Sequence, residues 1–207
     1  MARAGLGRDA VVRAAVQIAD TEGIDALSMR RVSQELGVTP MALYRYLPDK
    51  SGLVDVVVDE SLRDVPLVDP TRPVTGELLR CFGGLYELLV AHPGLARAVG
   101  ERPLEGPVAT RIGDRVLTLL QQNGVGRDDA ANLLVAAFSL ALGSALYRTS
   151  RSGRSGWGFR RSADAPAVDQ VRGRLAVAAA DDVTFRDAFE RLVRGYLIAE
   201  CGPSAET

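Results

Sequence analysis

Apolar residues recur at helical spacing along most of this chain, and that spacing leaves little room for strands. Val12, Ala15, Val16 and Ala19 follow the i, i+3, i+4, i+7 pattern of an amphipathic helix. The same spacing returns from Phe185 towards the end of the chain. Alternation with a period of two, which marks a half-buried strand, is almost absent. The pattern therefore predicts an all-α protein.

Length and composition place the chain among ordinary globular proteins. Its 207 residues suffice for one or two domains, and 47% apolar with 25% charged residues exclude a disordered, collagenous or disulfide-stapled chain. The two cysteines, Cys81 and Cys201, are interpreted as reduced thiols of a cytoplasmic protein. The longest apolar stretch, 133–147, is shorter than the roughly 20 residues of a membrane span. No secretory signal precedes it, so no membrane partner is expected.

Residue types that support catalysis or bind metals are scarce. The chain has one histidine, His92, which precedes Pro93 and is interpreted as a helix C-terminal cap. None of the nucleophile-elbow, zinc-protease, phosphate-loop or dinucleotide-binding motifs occurs. We therefore expect no enzyme activity, no metal and no other cofactor. An enzyme built in a helical bundle is the competing hypothesis, and turnover would discriminate it.

Two short helices near the N-terminus are separated by a turn that contains glycine. Ser28 is the predicted N-cap of a helix over 29–36, which Gly37 ends. Thr39 is the predicted N-cap of a second helix over about 40–46, which opens with a proline. Two short helices joined in this way are typical of a helix-turn-helix.

The second of these helices presents an unusual outward face. The two helices can bury a shared apolar core made of Val32, Leu36, Val38, Leu43 and Leu47. That core leaves on the outside Pro40, Met41, Ala42, Tyr44, Arg45 and Tyr46. Exposed methionine, tyrosine and arginine together favour a surface that meets another molecule, and DNA is the first hypothesis. A small three-helix core with incidental surface aromatics is the alternative.

Longer helical patterns occupy the rest of the chain. Besides the first helix, which is predicted over 8–22, helices are predicted over 50–62 (capped by Asp49), 74–91, 94–100, 105–123, 128–150, 168–179 and 184–199 (capped by Thr184). A Gly-, Ser- and Arg-rich loop is predicted over 151–167. The helix over 128–150 is apolar on almost all sides, so it requires burial against its own domain and against a partner subunit.

The N-terminal segment resembles the DNA-binding domain of the tetracycline-repressor (TetR) family. The likeness rests on A-L-S-M-R-x-V-x-x-x-L-G-V, A-L-Y-x-Y and D-K-x-x-L within 12–53, and on a weaker match in AHPGLARAVGERP and DDAANLLVAAFSLALGSAL. It covers about residues 8–200. It implies a helix-turn-helix domain over 1–50 and a helical effector-binding and dimerisation domain over 51–207, with the helix at 50–62 as connector.

The resemblance also implies which residues meet DNA. Base edges would be met by Pro40, Met41, Ala42 and Arg45. Phosphates would be met by Thr39, Tyr44, Tyr46 and Lys50, the single lysine of the chain. Arg30 begins the first helix of the motif, where the family often touches DNA. Arg45 is the best candidate for a base reader, because a guanidinium can donate two hydrogen bonds to guanine. Its alternative role is a phosphate contact.

An effector pocket is implied among the middle helices. The candidate lining is Phe82, Leu85, Tyr86, Leu89, Arg102, Val116, Leu117, Leu134, Phe138 and Leu142. Arg102 is the most suggestive polar member, although it can instead pair with Glu101 or Glu105. Ala98 stands where the tetracycline repressor has a magnesium-binding histidine, so a tetracycline–magnesium effector is not expected. The apolar lining favours a hydrophobic or aromatic effector.

Together these features predict a cytoplasmic homodimer that binds a palindromic operator and is released by an unidentified small molecule. The helix at 50–62 is the expected lever between the two domains. A DNA-binding dimer without an effector and a transcriptional activator are the alternatives.

Overall fold

A computed structural model describes residues 7–150, 166–178 and 181–199. Within these ranges the regular structure is helical, which confirms the all-α prediction. The helices are α1 Arg8–Glu22, α2 Met29–Leu36, α3 Pro40–Leu43, α4 Lys50–Ser61, α5 Val74–Ala91, α6 Pro93–Glu101, α7 Pro107–Gln122, α8 Arg127–Ser150, α9 Pro166–Ala178 and α10 Asp182–Ala199. Short 3₁₀ turns follow α1 and α4. The predicted loop up to residue 165 and Cys201 lie outside the described ranges.

Most helix ends lie where the sequence places them, and the two clearest differences have local causes. α3 ends at Leu43 and not near Tyr46, because the next residues form a tighter turn in which Tyr46 N donates to Leu43 O at 2.8 Å. α10 begins at Asp182 and not after Thr184. The carboxylate of Asp181 accepts a hydrogen bond from Val183 N at 3.0 Å and so occupies the capping position.

The chain forms two compact units. Among the described residues, the first contains 7–65 and 94–112, and the second contains 66–93, 113–150, 166–178 and 181–199. α1 to α4 therefore share a unit with most of α6 and with the start of α7. The predicted functional boundary between residues 50 and 51 stays a prediction, because the compact units describe packing alone.

In the first unit, α1 packs on α2 and α4, and α2 packs on α3. The apolar stripe predicted for α1 is shifted by one residue, so that Val11 and Ala15 are fully buried. The other fully buried side chains include Leu27, Val32, Leu43, Leu53 and Val57. Within the helix-turn-helix, Leu36 and Val38 are only half-buried. Its core thus rests mainly on Val32, Leu43 and Leu47.

In the second unit, α5, α8 and α10 pack against one another. Phe189 of α10 is fully buried, and its ring centroid lies 5.5 Å from that of Phe82 and 5.8 Å from that of Phe185. Phe185 stacks on Tyr86 with 4.3 Å between centroids and a 9° interplanar angle. These four rings form the aromatic cluster of the second unit.

Helix α8 has one alanine-rich buried side. Its buried residues are Ala130, Leu133, Ala137, Ala141 and Ala145. By length and composition alone, the 24-residue helix meets the requirement for crossing a membrane, although its apolar stretch was expected to be too short. A core helix of a helical bundle meets the same requirement, and the buried side of α8 packs against α5 and α10.

Candidate functional site

The helix-turn-helix is held by signals at each of its ends. Ser28 caps α2, since its Oγ accepts a hydrogen bond from Arg31 N at 3.1 Å. Gly37 ends α2 in the left-handed conformation with φ of 64°, which an L-residue with a side chain adopts only at a cost. Val38 N then donates back to Ser33 O at 3.0 Å. The turn between the helices is therefore fixed by backbone hydrogen bonds of the kind found at helix C-termini.

The segment 39–47 carries the residues predicted to contact DNA, and two buried leucines hold it against the rest of the first unit. Leu43 is fully buried and Leu47 is 3% exposed. Leu47 N donates to Leu43 O at 3.1 Å, which closes the turn after α3. With both leucines inward, Met41 is 75% exposed and Tyr44 is 49% exposed. We call 39–47 the recognition segment.

The predicted DNA-contacting residues lie at or near the surface of the first unit. The exposed ones are Arg30, Thr39, Pro40, Met41, Tyr44, Arg45 and Lys50, and the half-buried ones are Ala42 and Tyr46. Thr39 occupies the N-cap position of α3, but its side chain makes no capping hydrogen bond, contrary to expectation. The guanidinium carbon of Arg45 lies 5.7 Å from the ring centroid of Tyr46, a cation–π distance. The contacts of these residues with DNA stay predictions.

Lys50 lies where the start of α4 is fixed by a cap. Asp49 Oδ1 accepts a hydrogen bond from Gly52 N at 2.8 Å, as predicted. The Lys50 ammonium is exposed in the first turn of α4. The positive end of the helix dipole lies there too. Both the charge and the dipole favour an anion such as a phosphate at this point.

Arg31, the neighbour of the predicted DNA contact Arg30, has a structural role that the sequence did not reveal. Its Nε donates to Glu22 at 3.0 Å, and its Nη1 donates to Glu35 at 2.9 Å. The hydrogen bonds to Glu22 and Glu35 raise the pKa of Arg31, and the bond from Arg31 lowers the pKa of Glu22. Arg31 thus ties the end of α1 to α2 and leaves Arg30 as the exposed arginine.

The predicted effector residues divide between the two units. Arg102 lies in the first unit, where its Nη1 donates to Asp55 Oδ1 at 2.7 Å and to Ser51 Oγ at 2.8 Å. Its partners are therefore on α4 and are neither Glu101 nor Glu105. All other candidates lie in the second unit. Leu117, Leu134, Phe138 and Leu142 are half-buried, and the rest are buried: Phe82, Leu85, Tyr86, Leu89 and Val116.

Three polar side chains, those of Tyr86, Arg148 and Asp182, form a hydrogen-bonded group at one end of the aromatic cluster. Tyr86 Oη donates to Asp182 Oδ1 at 2.9 Å and accepts from Arg148 Nη1 at 2.9 Å, and Arg148 also pairs with Asp182. An open cleft of about 400 Å³ lies beside this group, between α8 and the start of α10. Of the predicted effector residues, Tyr86 alone lines that cleft. Sequence reasoning placed Tyr86 in the pocket but missed Arg148 and Asp182, which are far apart in the chain.

No cluster of three or more metal-ligating side chains exists within 7–150, 166–178 and 181–199. Ala98, which the resemblance to the TetR family places opposite a magnesium-binding histidine, is buried in α6.

Comparison with known proteins defines the class. Residues 11–57 match the family model for bacterial regulatory proteins of the tetR family, and residues 75–191 match that of the tetracyclin repressor-like C-terminal domain. The chain is thus a bacterial regulatory protein with an N-terminal helix-turn-helix. It belongs to the TetR family, which confirms the family predicted from the sequence.

Individual relatives agree with this assignment. The transcriptional repressor DrrR1 of Streptomyces coeruleorubidus is 36% identical over 72% of this chain, and the alignment spans 57% of DrrR1, less than two thirds of its length. The class D tetracycline repressor of Escherichia coli is 26% identical over 93% of this chain and 90% of its own.

A solved structure is similar over nearly the whole chain. Apo ActR from Streptomyces coelicolor has a TM-score of 0.82 and 28% identity, covering 97% of this chain and 100% of ActR. ActR in complex with actinorhodin has a TM-score of 0.81 with the same identity and coverage. The likeness therefore includes both the helix-turn-helix and the helical domain that follows it.

Proposed function

We propose that this chain is a transcriptional repressor that binds a palindromic operator as a homodimer and is released by a small, largely apolar effector. The observation that carries the proposal is the recognition segment, in which Leu43 and Leu47 are buried while Met41 and Tyr44 are exposed. Such a surface is suited to the major groove, where side chains reach base edges. Membership of a family of transcriptional regulators, rather than enzymes, also supports this proposal. The protein would act on the chromosome in the cytoplasm.

Within the proposed interface, the residues divide between base reading and phosphate binding. Arg45 can donate to guanine O6 and N7, and Met41 can contact a thymine methyl group. Tyr44, Tyr46 and Lys50 would bind phosphates, which position the protein without reading sequence. Pro40 and Ala42 complete the surface towards the bases. Thr39 makes no capping bond, which leaves its hydroxyl for a phosphate, and Arg30 adds a charge from α2.

A twofold dimer explains how one short motif achieves useful specificity. Two recognition segments would enter successive major grooves about 34–36 Å apart, so the operator would be a palindrome with half-sites one helical turn apart. An effector that binds one dimer geometry more tightly would shift the population away from that spacing. Release then requires differential affinity and no enzymatic step.

The proposed effector would bind in the second unit. Leu134, Phe138 and Leu142 lie four residues apart on one side of α8 and are half-buried, so they can contact an apolar ligand. ActR, which is similar over nearly its whole length, is known in complex with actinorhodin. An aromatic effector therefore fits both the lining and the relative. Arg102 is bound to Asp55 in the first unit, and its role in effector binding stays a prediction.

The first experiment is selection of binding sites from a random duplex pool with the purified full-length protein. We expect enrichment of one palindromic sequence. A folded protein that enriches no sequence would contradict the proposal. An enriched sequence without twofold symmetry would contradict the dimeric mode of binding.

Two substitutions then separate the proposed roles on that duplex. Lys50→Ala should weaken binding to all sequences and reduce the slope of log affinity against log salt by about 1 for each phosphate that is no longer neutralised. Arg45→Ala should relax preference at one base pair per half-site, at a cost of about 1–3 kcal/mol. Arg127→Ala is the control, because this exposed arginine begins α8. Unchanged selectivity of the Arg45 variant would refute its role as a base reader.

The effector is tested by competition against the bound operator. Actinorhodin serves as the aromatic probe, and tetracycline with magnesium serves as the contrast. We expect the aromatic probe to release the duplex and to raise the melting temperature of the free protein, and the tetracycline complex to do neither. If a broad panel of aromatic probes changes neither quantity, the alternative of a DNA-binding dimer without an effector is favoured.

A further inference from the structure

Two arginines of the helix-turn-helix are held by partners of different kinds. The guanidinium of Arg31 donates to the carboxylates of Glu22 and Glu35, at 3.0 Å from Nε and 2.9 Å from Nη1. The guanidinium of Arg45 lies instead against an aromatic ring, with 5.7 Å between its Cζ and the ring centroid of Tyr46. Within the ranges that the structure describes, Arg45 forms no ion pair. The Tyr46 ring is thus the group that holds Arg45.

The two kinds of partner leave the guanidinium with different capacities for a further ligand. All three guanidinium nitrogens of Arg31 donate to carboxylates, which occupy its N–H groups and offset its charge. An aromatic ring attracts a cation through the electrons of its face and accepts none of its in-plane N–H donors. The ring of Tyr46 therefore holds Arg45 and leaves it the donors that guanine O6 and N7 would require.

The early end of α3 brings these two neighbours together. Side chains adjacent in sequence do not face each other on an α-helix. The helix ends at Leu43, however, and Tyr46 N donates to Leu43 O at 2.8 Å in the tighter turn that follows. The contact between Arg45 and Tyr46 therefore depends on a turn at the place where the sequence alone predicts a continuing helix.

Tyr46 is better fixed than the arginine that it contacts. Its backbone is bonded to Leu43, and the next residue, Leu47, is 3% exposed. Its side chain is half-buried, whereas that of Arg45 is exposed. An immobilised arginine loses much rotamer freedom, while a tyrosine with two side-chain torsions loses little. A contact that exists before DNA arrives reduces the entropy that Arg45 loses on binding.

We propose that Tyr46 is a positioning residue for base recognition, whose ring orients the Arg45 guanidinium towards the base edges. This role is separate from the phosphate contact expected of the Tyr46 hydroxyl. The inference rests on the proposed function, in which Arg45 reads a base. It makes the preference at that base pair depend on a side chain that is not expected to contact the base.

The test compares the affinity of the full-length protein for two duplexes. One is the selected operator, and the other is changed at the base pair whose preference Arg45→Ala relaxes. The ratio of the two dissociation constants measures discrimination. Tyr46→Phe keeps the ring without the hydroxyl and should keep the ratio, even where both affinities fall. Tyr46→Leu removes the ring and should lower the ratio by about two- to fivefold, the effect of one exposed cation–π contact.

A matched control and a double substitution isolate the contact. Tyr44→Leu makes the same change in the same segment, at a ring that is not paired with Arg45, and should leave the ratio unchanged. In an Arg45→Ala background, Tyr46→Leu should also leave the ratio unchanged, because the guanidinium is already absent. Melting temperatures identify a variant that fails to fold. Tyr46→Met, a second substitution without a ring, then carries the test.

The outcomes separate this inference from the proposed function. A wild-type ratio in the folded Leu or Met variant would overturn the positioning role and leave base reading by Arg45 intact. A ratio that falls equally in Tyr46→Phe and Tyr46→Leu would assign the effect to the hydroxyl and would also overturn it. If Arg45→Ala relaxes preference at no base pair, the inference and the base-reading role of Arg45 fail together, although operator binding stands.

Discussion

In the first unit α2 carries both a start and a stop signal of its own, and α1 and α4 carry one each, whereas α5 of the second unit begins without a side-chain cap and packs on its neighbours α8 and α10. Ser28 and Asp49 cap α2 and α4, and Gly23 and Gly37 end α1 and α2 with positive φ. α5 begins after a proline with no side-chain cap, and its order comes from packing on α8 and α10. Local signals suit a small domain that must hold its surface residues in fixed places. Packing suits a region that can enclose a ligand.

The largest expected effect tests the part of this contrast that concerns packing. Phe189→Ala removes a fully buried ring from the aromatic cluster and should lower the free energy of unfolding by about 3–5 kcal/mol. Urea denaturation measures this loss. Val183→Ala, at a position 66% exposed in the same helix, should change it by less than about 0.5 kcal/mol. Equal effects of the two substitutions would show that the cluster does not organise the second unit.

A second prediction concerns a polar anchor in the second unit. Glu77 of α5 is buried, and it accepts hydrogen bonds from Arg80 and from Asp69 N at 2.7 Å. Glu77→Gln should lower the free energy of unfolding at pH 7 by about 2 kcal/mol, because it removes charge-assisted hydrogen bonds. Glu87→Gln, at an exposed carboxylate of the same helix, is the control.

Glu77 should also make the free energy of unfolding depend on pH in the acidic range. The Arg80 side chain, and after it the N–H of Asp69, hold the pKa of Glu77 below its ordinary value of 4.5. The stabilisation is therefore fully present above pH 4.5 and is lost as the pH falls through the lower folded-state pKa. The difference between wild type and Glu77→Gln should shrink across this range. A difference that is constant with pH would contradict the ionic origin of the stabilisation.

A smaller effect tests the local signals of the first unit. Gly37→Ala places a methyl group on a residue with φ of 64° and should cost about 1 kcal/mol of stability, through backbone strain alone, because no atom crowds the position. Gly76→Ala, in open space within a helix, should cost nothing. Thermal denaturation of the two variants measures the difference. If Gly37→Ala is as stable as the wild type, the turn is not fixed by its glycine.

The smallest expected effect is a lack of reactivity in the second unit. Burial raises the pKa of the Cys81 thiol to about 12, so the thiolate that reacts with disulfide reagents is nearly absent at neutral pH. In a Cys201→Ser background, a disulfide reagent should leave the native protein unmodified and should modify it fully in denaturant. Fast modification of the native protein would show that the packing around α5 opens readily.

The same contrast explains how far the sequence reveals the fold and the site. The ends of α1, α2 and α5 follow from their apolar stripes and their flanking residues, and the recognition segment follows from the alternation of buried leucines with exposed residues. The partners of Arg102 could not be predicted, because they lie about fifty residues away in the chain. Pairing over such a distance leaves no periodic signal in a single sequence.

The effector residues illustrate a second limit. Phe82 and Tyr86 satisfy the apolar pattern expected of a pocket, yet their rings pack against Phe189 and Phe185. An apolar residue on the inner side of a helix is equally compatible with a ligand contact and with a core contact. Only the three-dimensional structure distinguishes a ligand contact from a core contact. The pairing of Arg148 with Asp182 likewise follows from the structure and not from the sequence.

The shape of the recognition segment has a consequence for how such proteins diverge. Leu43 and Leu47 are the residues of this segment that pack into the core, and its helical part ends at Leu43. The outward residues around them can therefore be exchanged with little cost to stability, and under the proposed function such exchanges would change the preferred DNA sequence while the fold stays the same. Under the same proposal, a few substitutions in this segment would be enough to direct a copy of the protein to a different DNA sequence.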